Sequence, residues 1–322
     1  MGGFLGLVER ARGGDRRALG RILTFLEDLS VSNAWMVEYL ASNSSGKAQV
    51  IGITGIPGAG KSSLISRLIK AFRDKGYRVA VIAIDPTSPL SSGALLGDRL
   101  RMQDHATDPG VFIRSVTTAG FEGGLSLAAL AMIEAFDALG YDKIIVETVG
   151  VGQDETTVMD AADTIIVVTM PGAGDDVQAL KAGVLEIGDI YVVNKSDKPE
   201  ASKTYEYMSF VAEKGDIGRE GAWRPLVVKT SAVLGMGIRD LVEAVDKHLE
   251  YLVGSGDKAA RTAKRRKLLI KLLAKKIVLD TLKKVYEEHD QSVGEVAKTL
   301  KGFYEESLEL VRLAGRKLIE GS

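Results

Sequence analysis

Residues Gly55-Ile-Pro-Gly-Ala-Gly-Lys61-Ser62 read G-x-x-x-x-G-K-S, a spacing suited to holding a polyphosphate. Gly55, Gly58 and Gly60 let the backbone curl so that its N–H groups, with the N-terminus of a following helix, face anionic oxygens. Pro57, Ala59 and Ser63 belong to the same binding stretch. Lys61 can reach the β- and γ-phosphates, and the Ser62 hydroxyl can ligate Mg²⁺. Such a loop needs a strand before it and a helix after it. Gln49–Thr54 is a mostly apolar run fit for a buried strand. Leu64, Ile65, Leu68, Ile69 and Phe72 then recur at helical spacing.

A Mg²⁺–triphosphate complex also needs carboxylates, direct or through water. Asp85 ends the strand predicted over Arg78–Asp85, Glu147 ends the one predicted over Lys143–Thr148, and Asp98 lies in the loop Leu90–Met102. These three are the expected metal neighbours of Ser62, although Asp98 also reads as a loop or helix-capping residue. Gly150 and Gly152 suit a switch loop whose Gly150 N–H bonds a terminal phosphate and releases it after hydrolysis. Gln153 invites comparison with glutamines that orient an attacking water, against a switch-packing or interface role. Lys61, Glu147 and Gln153 are thus the expected catalytic residues. A further glycine-rich loop, Pro171–Gln178, sits at a strand end; there Asp175, Gln178 and nearby Lys181 can relay nucleotide state.

The base is read from Asn194-Lys-Ser-Asp197, an N-K-x-D element. A carboxylate at Asp197 accepts from guanine N1–H and the exocyclic amine; adenine lacks that pair. Asn194 addresses the N7/O6 side and the Lys195 stem stacks on the ring. In Thr230-Ser231-Ala232 a backbone N–H near Ala232 can bond guanine O6. The expected ligands are therefore GTP, GDP and Mg²⁺.

The elements that must position these residues alternate. Further strands are predicted at Val111–Arg114, Thr164–Thr169, Asp189–Asn194 and Pro225–Thr230, with helices at Leu125–Leu139, Gln178–Glu186, Tyr205–Lys214 and Ile238–Leu252. β-branched strands separated by helices predict an open, mostly parallel α/β sheet. Residues 1–48 form a helical preface with Leu19, Ile22, Leu23 and Leu26 on one face, and a second helix over Ser32–Leu40. After residue 253 the composition shifts. A lysine- and arginine-rich helix over 258–287 and a final helix from Ser292 to Ile319 predict a hairpin. Its apolar stripe favours a dimerisation arm over intramolecular packing, a membrane-surface helix or a nucleic-acid contact. The predicted units are thus 1–48, 49–253 and 254–322.

With 322 residues and 45% hydrophobic content the chain can build a large core, and a net charge of −1 argues against a polyanion binder. The absence of cysteine excludes thiolate metal sites, disulfides and cysteine nucleophiles, and three histidines disfavour a multi-histidine metal cluster. No apolar run reaches about 18 residues and no signal-peptide core is readable, so a cytoplasmic protein without integral membrane or nucleic-acid association is expected.

Together, Gly52–Ser62, Ala83–Ser88, Leu96–Arg99 with Arg101 and Met102, Val146–Gln153, Pro171–Asp175, Gln178, Lys181–Gly183 and Val193–Asp197 resemble the MeaB/ArgK/MMAA group of P-loop GTPases, in the G3E branch of the SIMIBI class. Gly14–Leu19 resembles that group's N-terminal helix, so the likeness runs nearly the whole length. It implies a GTPase chaperone that gates adenosylcobalamin loading and protects or reactivates a cobalamin-dependent acyl-CoA mutase such as methylmalonyl-CoA mutase, with that mutase and its adenosyltransferase as partners. It also implies a homodimer joined through C-terminal helices, Asp85, Asp98 and Glu147 around magnesium or the switch network, and Asp175, Gln178 and Lys181 in a third switch. Two departures stand out: Ser92 where the group often has glycine, and Ala119 where it has arginine. The rivals are a guanine-nucleotide-dependent kinase or ATPase linked to arginine/ornithine transport, a nickel-insertion GTPase and a protein-targeting GTPase. Missing cysteines count against the nickel role, and eight scattered methionines against targeting.

Overall fold

The computed structural model describes residues 2–30, 32–85, 105, 107–117, 127–148, 161–172, 187–214, 222–288 and 303–320. Strand β1 (Gln49–Gly55) is buried along its whole length, because its apolar side chains on both faces meet helices. It leads through the glycine-rich turn into helix α4 (Lys61–Asp74), which buries Leu64, Ile65, Leu68, Ile69 and Phe72 against the sheet. Strands β2 (Val79–Asp85), β3 (Val111–Thr117), β4 (Lys143–Thr148), β5 (Thr164–Thr169), β6 (Ile190–Val193) and β7 (Leu226–Lys229) complete a sheet of order β3-β2-β4-β1-β5-β6-β7. Every named strand pair is parallel. The open parallel sheet expected from the alternation is therefore present. β1 lies between β4 and β5, so Gly55, Thr148 and Thr169 end at one edge around the turn.

Three helices precede the sheet: α1 (Gly2–Arg12), α2 (Arg16–Glu27) and α3 (Trp35–Asn43). Asp15 caps α2 by accepting from Arg17 N at 2.9 Å and Ala18 N at 3.1 Å. Leu19, Ile22, Leu23 and Leu26 are buried, as their spacing predicted. The second preface helix starts at Trp35 rather than Ser32. Asn33 Oδ1 accepts from Ser30 N at 2.7 Å, and that turn takes up the residues before the helix. Arg16 fastens the preface to the β3 edge, donating to Asp108 O at 2.8 Å and Val111 O at 2.6 Å. Strand β3 runs three residues beyond the expected Arg114, because its pairing with β2 continues to Asp85 opposite Thr117.

Between strands lie α5 (Leu127–Ala138), α6 (Ala201–Lys214) and α7 (Ile238–Ser255). Helix α6 starts one turn before the expected Tyr205; its first turn, Ala-Ser-Lys-Thr, carries no apolar periodicity to announce it. The segment expected as a helix over Gln178–Glu186 lies outside the described residues. Gly256, at φ +82°, ends α7, and α8 (Asp257–Glu288) departs at once.

The first turns of α8 are bolted to the sheet edge opposite the glycine-rich turn. Lys258 Nζ donates to Asp163 Oδ2 at 2.5 Å. Arg261 donates to Asp189 at 2.8 and 3.0 Å, Arg265 to Asp163 Oδ1 at 3.2 Å, and Arg266 to Glu134 Oε2 at 3.0 Å. Asp163 and Asp189 precede β5 and β6. Burial pushes the Asp189 carboxyl up, but the buried His248 ring, whose Nε2 lies 3.3 Å away, and hydrogen bonds from Arg261 outweigh it and hold it below its usual range. Helix α9 (Phe303–Glu320) packs along the far part of α8 as a hairpin. Beyond Leu269 the arm exposes Ile270, Val278, Leu279, Tyr286, Val311 and Ile319. Among the described residues no helix is long and apolar enough to cross a membrane.

Candidate functional site

Two glycines fix the shape of the turn after β1. Gly55 has φ +137°, and a Cβ there would fall 1.9 Å from Val168 O on β5. Gly60 has φ +88° at the N-terminus of α4, and a Cβ would meet Asn194 Nδ2 at 2.7 Å. Both positions therefore demand glycine on conformational and steric grounds. Gly58 is also left-handed, and Met170 lies beside it.

Lys61 and Ser62 open α4 and are buried. Lys61 Nζ donates to Gly55 O at 2.7 Å, which lays the ammonium back across the turn. Ser62 Oγ donates to Glu147 Oε1 at 2.8 Å, so the loop serine and the strand-end carboxylate lie side by side. Register explains it: Glu147 stands opposite Ile53, next to the start of the turn. A buried hydroxyl beside a buried carboxylate is the hard-oxygen donor chemistry Mg²⁺ prefers, so these residues fit that ion. Asp85 ends β2 at the same sheet edge, and nothing further is described of its side chain. Asp98, Gly150, Gln153, Asp175, Gln178 and Lys181, with the departures at Ser92 and Ala119, lie outside the described residues.

The second cluster forms where β6 and β7 end. Asn194 Nδ2 donates to Ala59 O at 2.7 Å, tying the N-K-x-D segment to the phosphate-loop turn. Its Oδ1 accepts from Thr230 Oγ1 and Ala232 N, both at 3.1 Å. Ser231 Oγ donates to Asp197 Oδ1 at 2.6 Å, and this bond holds the carboxyl below its usual range. Among the described residues Lys195 is the one non-glycine residue with positive φ, at 57°. That conformation sends its Nζ to Met170 Sδ at 3.2 Å, above Gly58. Ser231 and Met236 close the loop after β7 as an antiparallel bridge.

Strand order thus brings Gly55–Ser62, Glu147, Asn194–Asp197 and Ser231–Ala232 to one edge, although they lie far apart in the sequence. The sequence pattern of the family described as methylmalonyl Co-A mutase-associated GTPase MeaB matches residues 19–287, most of the chain.

The chain belongs to the MeaB family of GTPases.

The relatives agree. An inferred GTPase of Pyrococcus abyssi is 48% identical over 273 residues, 84% of each chain. The GTPase ArgK of Escherichia coli is 35% identical over 258 residues, 77% of each chain. A crystal structure of an LAO/AO transport system kinase superposes with TM-score 0.68 at 24% identity over 96% of both chains, a likeness of fold. The chain is therefore a GTP-hydrolysing enzyme, and its family implies binding of GTP, GDP and Mg²⁺.

Sequence reasoning did not find Thr230 as a partner of Asn194, Met170 as the seat of Lys195, or the fastening of α8. The last had a readable sign: Lys258, Arg261 and Arg265 recur at helical spacing, and an aspartate stands before each of β5 and β6.

Proposed function

We propose that this GTPase is a nucleotide switch serving a cobalamin-dependent acyl-CoA mutase of the methylmalonyl-CoA type. It gates adenosylcobalamin loading by the adenosyltransferase and protects or reactivates the mutase, in the cytoplasm. The observation that carries this reading is the match of residues 19–287 to a family described as mutase-associated. The Asn194 network beside the phosphate loop supports guanine as the base.

In this reading Gly55, Pro57, Gly58, Ala59, Gly60 and Ser63 cradle the phosphates, and Lys61 turns from Gly55 O toward them. Ser62, Glu147, Asp85 and Asp98 hold magnesium, which when bound neutralises charge at the β- and γ-oxygens. Glu147 also sets the Ser62 hydroxyl through its 2.8 Å bond. Gly150 senses the terminal phosphate, Gln153 orients water, and Asp175, Gln178 and Lys181 pass the state outward. Asp197, with Ser231 behind it, reads the guanine N1–H and amine; Asn194 and the Ala232 N–H, which turns from Asn194 Oδ1 toward the base, read the O6/N7 side, and the Lys195 stem covers the ring.

We divide the chain at 1–48, 49–253 and 254–322, with the last unit pairing two copies through the exposed apolar side chains of α8 and α9. A pull-down from native extract with a non-hydrolysable GTP analogue tests the client. Recovery of a cobalamin mutase with the GTP-analogue form supports the proposal. Recovery of a transporter component in its place would overturn it.

A further inference from the structure

Arg67 lies on α4 six positions after Lys61, roughly 9 Å along a helix axis that rises 1.5 Å per residue. Arg67 is exposed, yet its guanidinium is engaged by backbone. Nε donates to Ala232 O at 2.7 Å, and a terminal nitrogen donates to Val233 O at 2.9 Å. The helix that begins with the phosphate-binding lysine therefore grips two consecutive carbonyls of the loop after β7.

That loop needs such a grip. Its first three residues are tied toward the N-K-x-D segment, Thr230 Oγ1 and Ala232 N to Asn194 and Ser231 to Asp197. Its tip has little packing: Val233, Leu234 and Met236 are 79%, 61% and 54% exposed. A two-carbonyl grip fixes the peptide planes on either side of Val233, and through them the direction of the neighbouring Ala232 N–H. Arginine suits this because its planar fork donates along two lines at once, whereas lysine offers one compact charge.

We infer that Arg67 is a positioning residue for base recognition, which holds the Ala232 peptide beside Asn194 so that its N–H can pass from Asn194 Oδ1 to guanine O6, and links that peptide to the phosphate helix. The inference rests on the guanine reading above and adds to it a residue outside both nucleotide motifs.

The test is titration of the full chain with GDP and with ADP, for wild type, Arg67→Ala and Arg67→Lys, alongside the melting temperature of each nucleotide-free chain. Arg67→Ala is expected to weaken GDP by roughly five- to tenfold, the scale of losing charge-assisted hydrogen bonds at a half-exposed site. ADP, held by its phosphates alone, should change less than about twofold on the same scale. Arg67→Lys should recover part of the loss, and melting temperatures should stay together. A selective wild type whose Arg67→Ala variant is equally selective overturns the role of Arg67 and leaves the guanine reading standing. GDP and ADP weakened equally, with a lowered melting temperature, show a merely structural arginine and also overturn it. A wild type that binds GDP and ADP alike overturns the guanine reading itself.

Discussion

Gly60 meets two demands at once: a left-handed backbone and the side-chain amide of Asn194 at a distance no methyl group tolerates. Gly60→Ala should therefore destabilise the chain by about 1–2 kcal/mol, from backbone strain and the displaced amide. It should also weaken GDP binding, because Asn194 would lose Ala59 O. Thermal melting and GDP titration check both; an unchanged affinity would mean that the 2.7 Å bond from Asn194 to Ala59 O does not shape the site. Lys61 gives a sharper test. Its ammonium rests on a carbonyl, so Lys61→Ala removes charge with little loss of core. GTP affinity should fall by at least about tenfold, as expected when a charged phosphate contact is lost. The melting temperature should move little.

At the scale of elements, the basic turns of α8 and the aspartates before β5 and β6 decide how the C-terminal arm leaves the sheet. Asp189→Asn removes the charge facing Arg261 and should cost about 2 kcal/mol. That is less than the roughly 3–5 kcal/mol of a fully buried pair, because Arg261 keeps 31% of its side chain exposed. Denaturant melts of the full chain would show it.

The acid limb of stability follows from the same contacts. Burial raises the carboxyls of Asp137, Asp189 and Asp246, yet in each case hydrogen bonds outweigh it and the net shift is downward from 3.8. Ser44, Ser45 and the N–H groups of Gly46 and Ala48 act on Asp137, His248 and Arg261 on Asp189, and Lys75 and Lys143 on Asp246. The unfolded chain therefore binds more protons in acid. The stabilisation is complete above the unfolded values and is lost as pH falls through the lower folded ones. Melting temperature should be insensitive to these groups between about pH 5 and 7 and fall steeply below about pH 4. A flat profile down to about pH 3 would contradict the assignment.

For the whole molecule, the sheet and the nucleotide motifs were legible because β-branched runs and fixed spacings are local signals. Gly55–Ser62 and Asn194–Asp197 carry their chemistry in consecutive residues. Thr230 and Met170 do not: each acts through a contact made only when parallel strands bring their ends together. Helix α6 began early because its first turn has no apolar period, and β3 ran long because pairing with β2 overrode a weak strand signal. The fastening of α8 was written as a basic stripe, but a charge run alone does not say whether it meets water, a partner or buried aspartates. The proposed pairing of two copies rests on the exposed Val278, Leu279 and Tyr286. Leu279→Asp should shift sedimentation from dimer to monomer, and a wild type that sediments as a monomer would contradict the arm's pairing.

In the proposed function, GTP hydrolysis reports on a mutase. That coupling is tested most directly by phosphate release from GTP with and without a purified cobalamin-dependent methylmalonyl-CoA mutase, with complex formation verified by sedimentation. Slow turnover is expected alone and at least about tenfold faster turnover in the complex, still below the roughly 10³–10⁵-fold that an arginine supplied in trans can give. Equal rates in a verified complex would contradict that coupling.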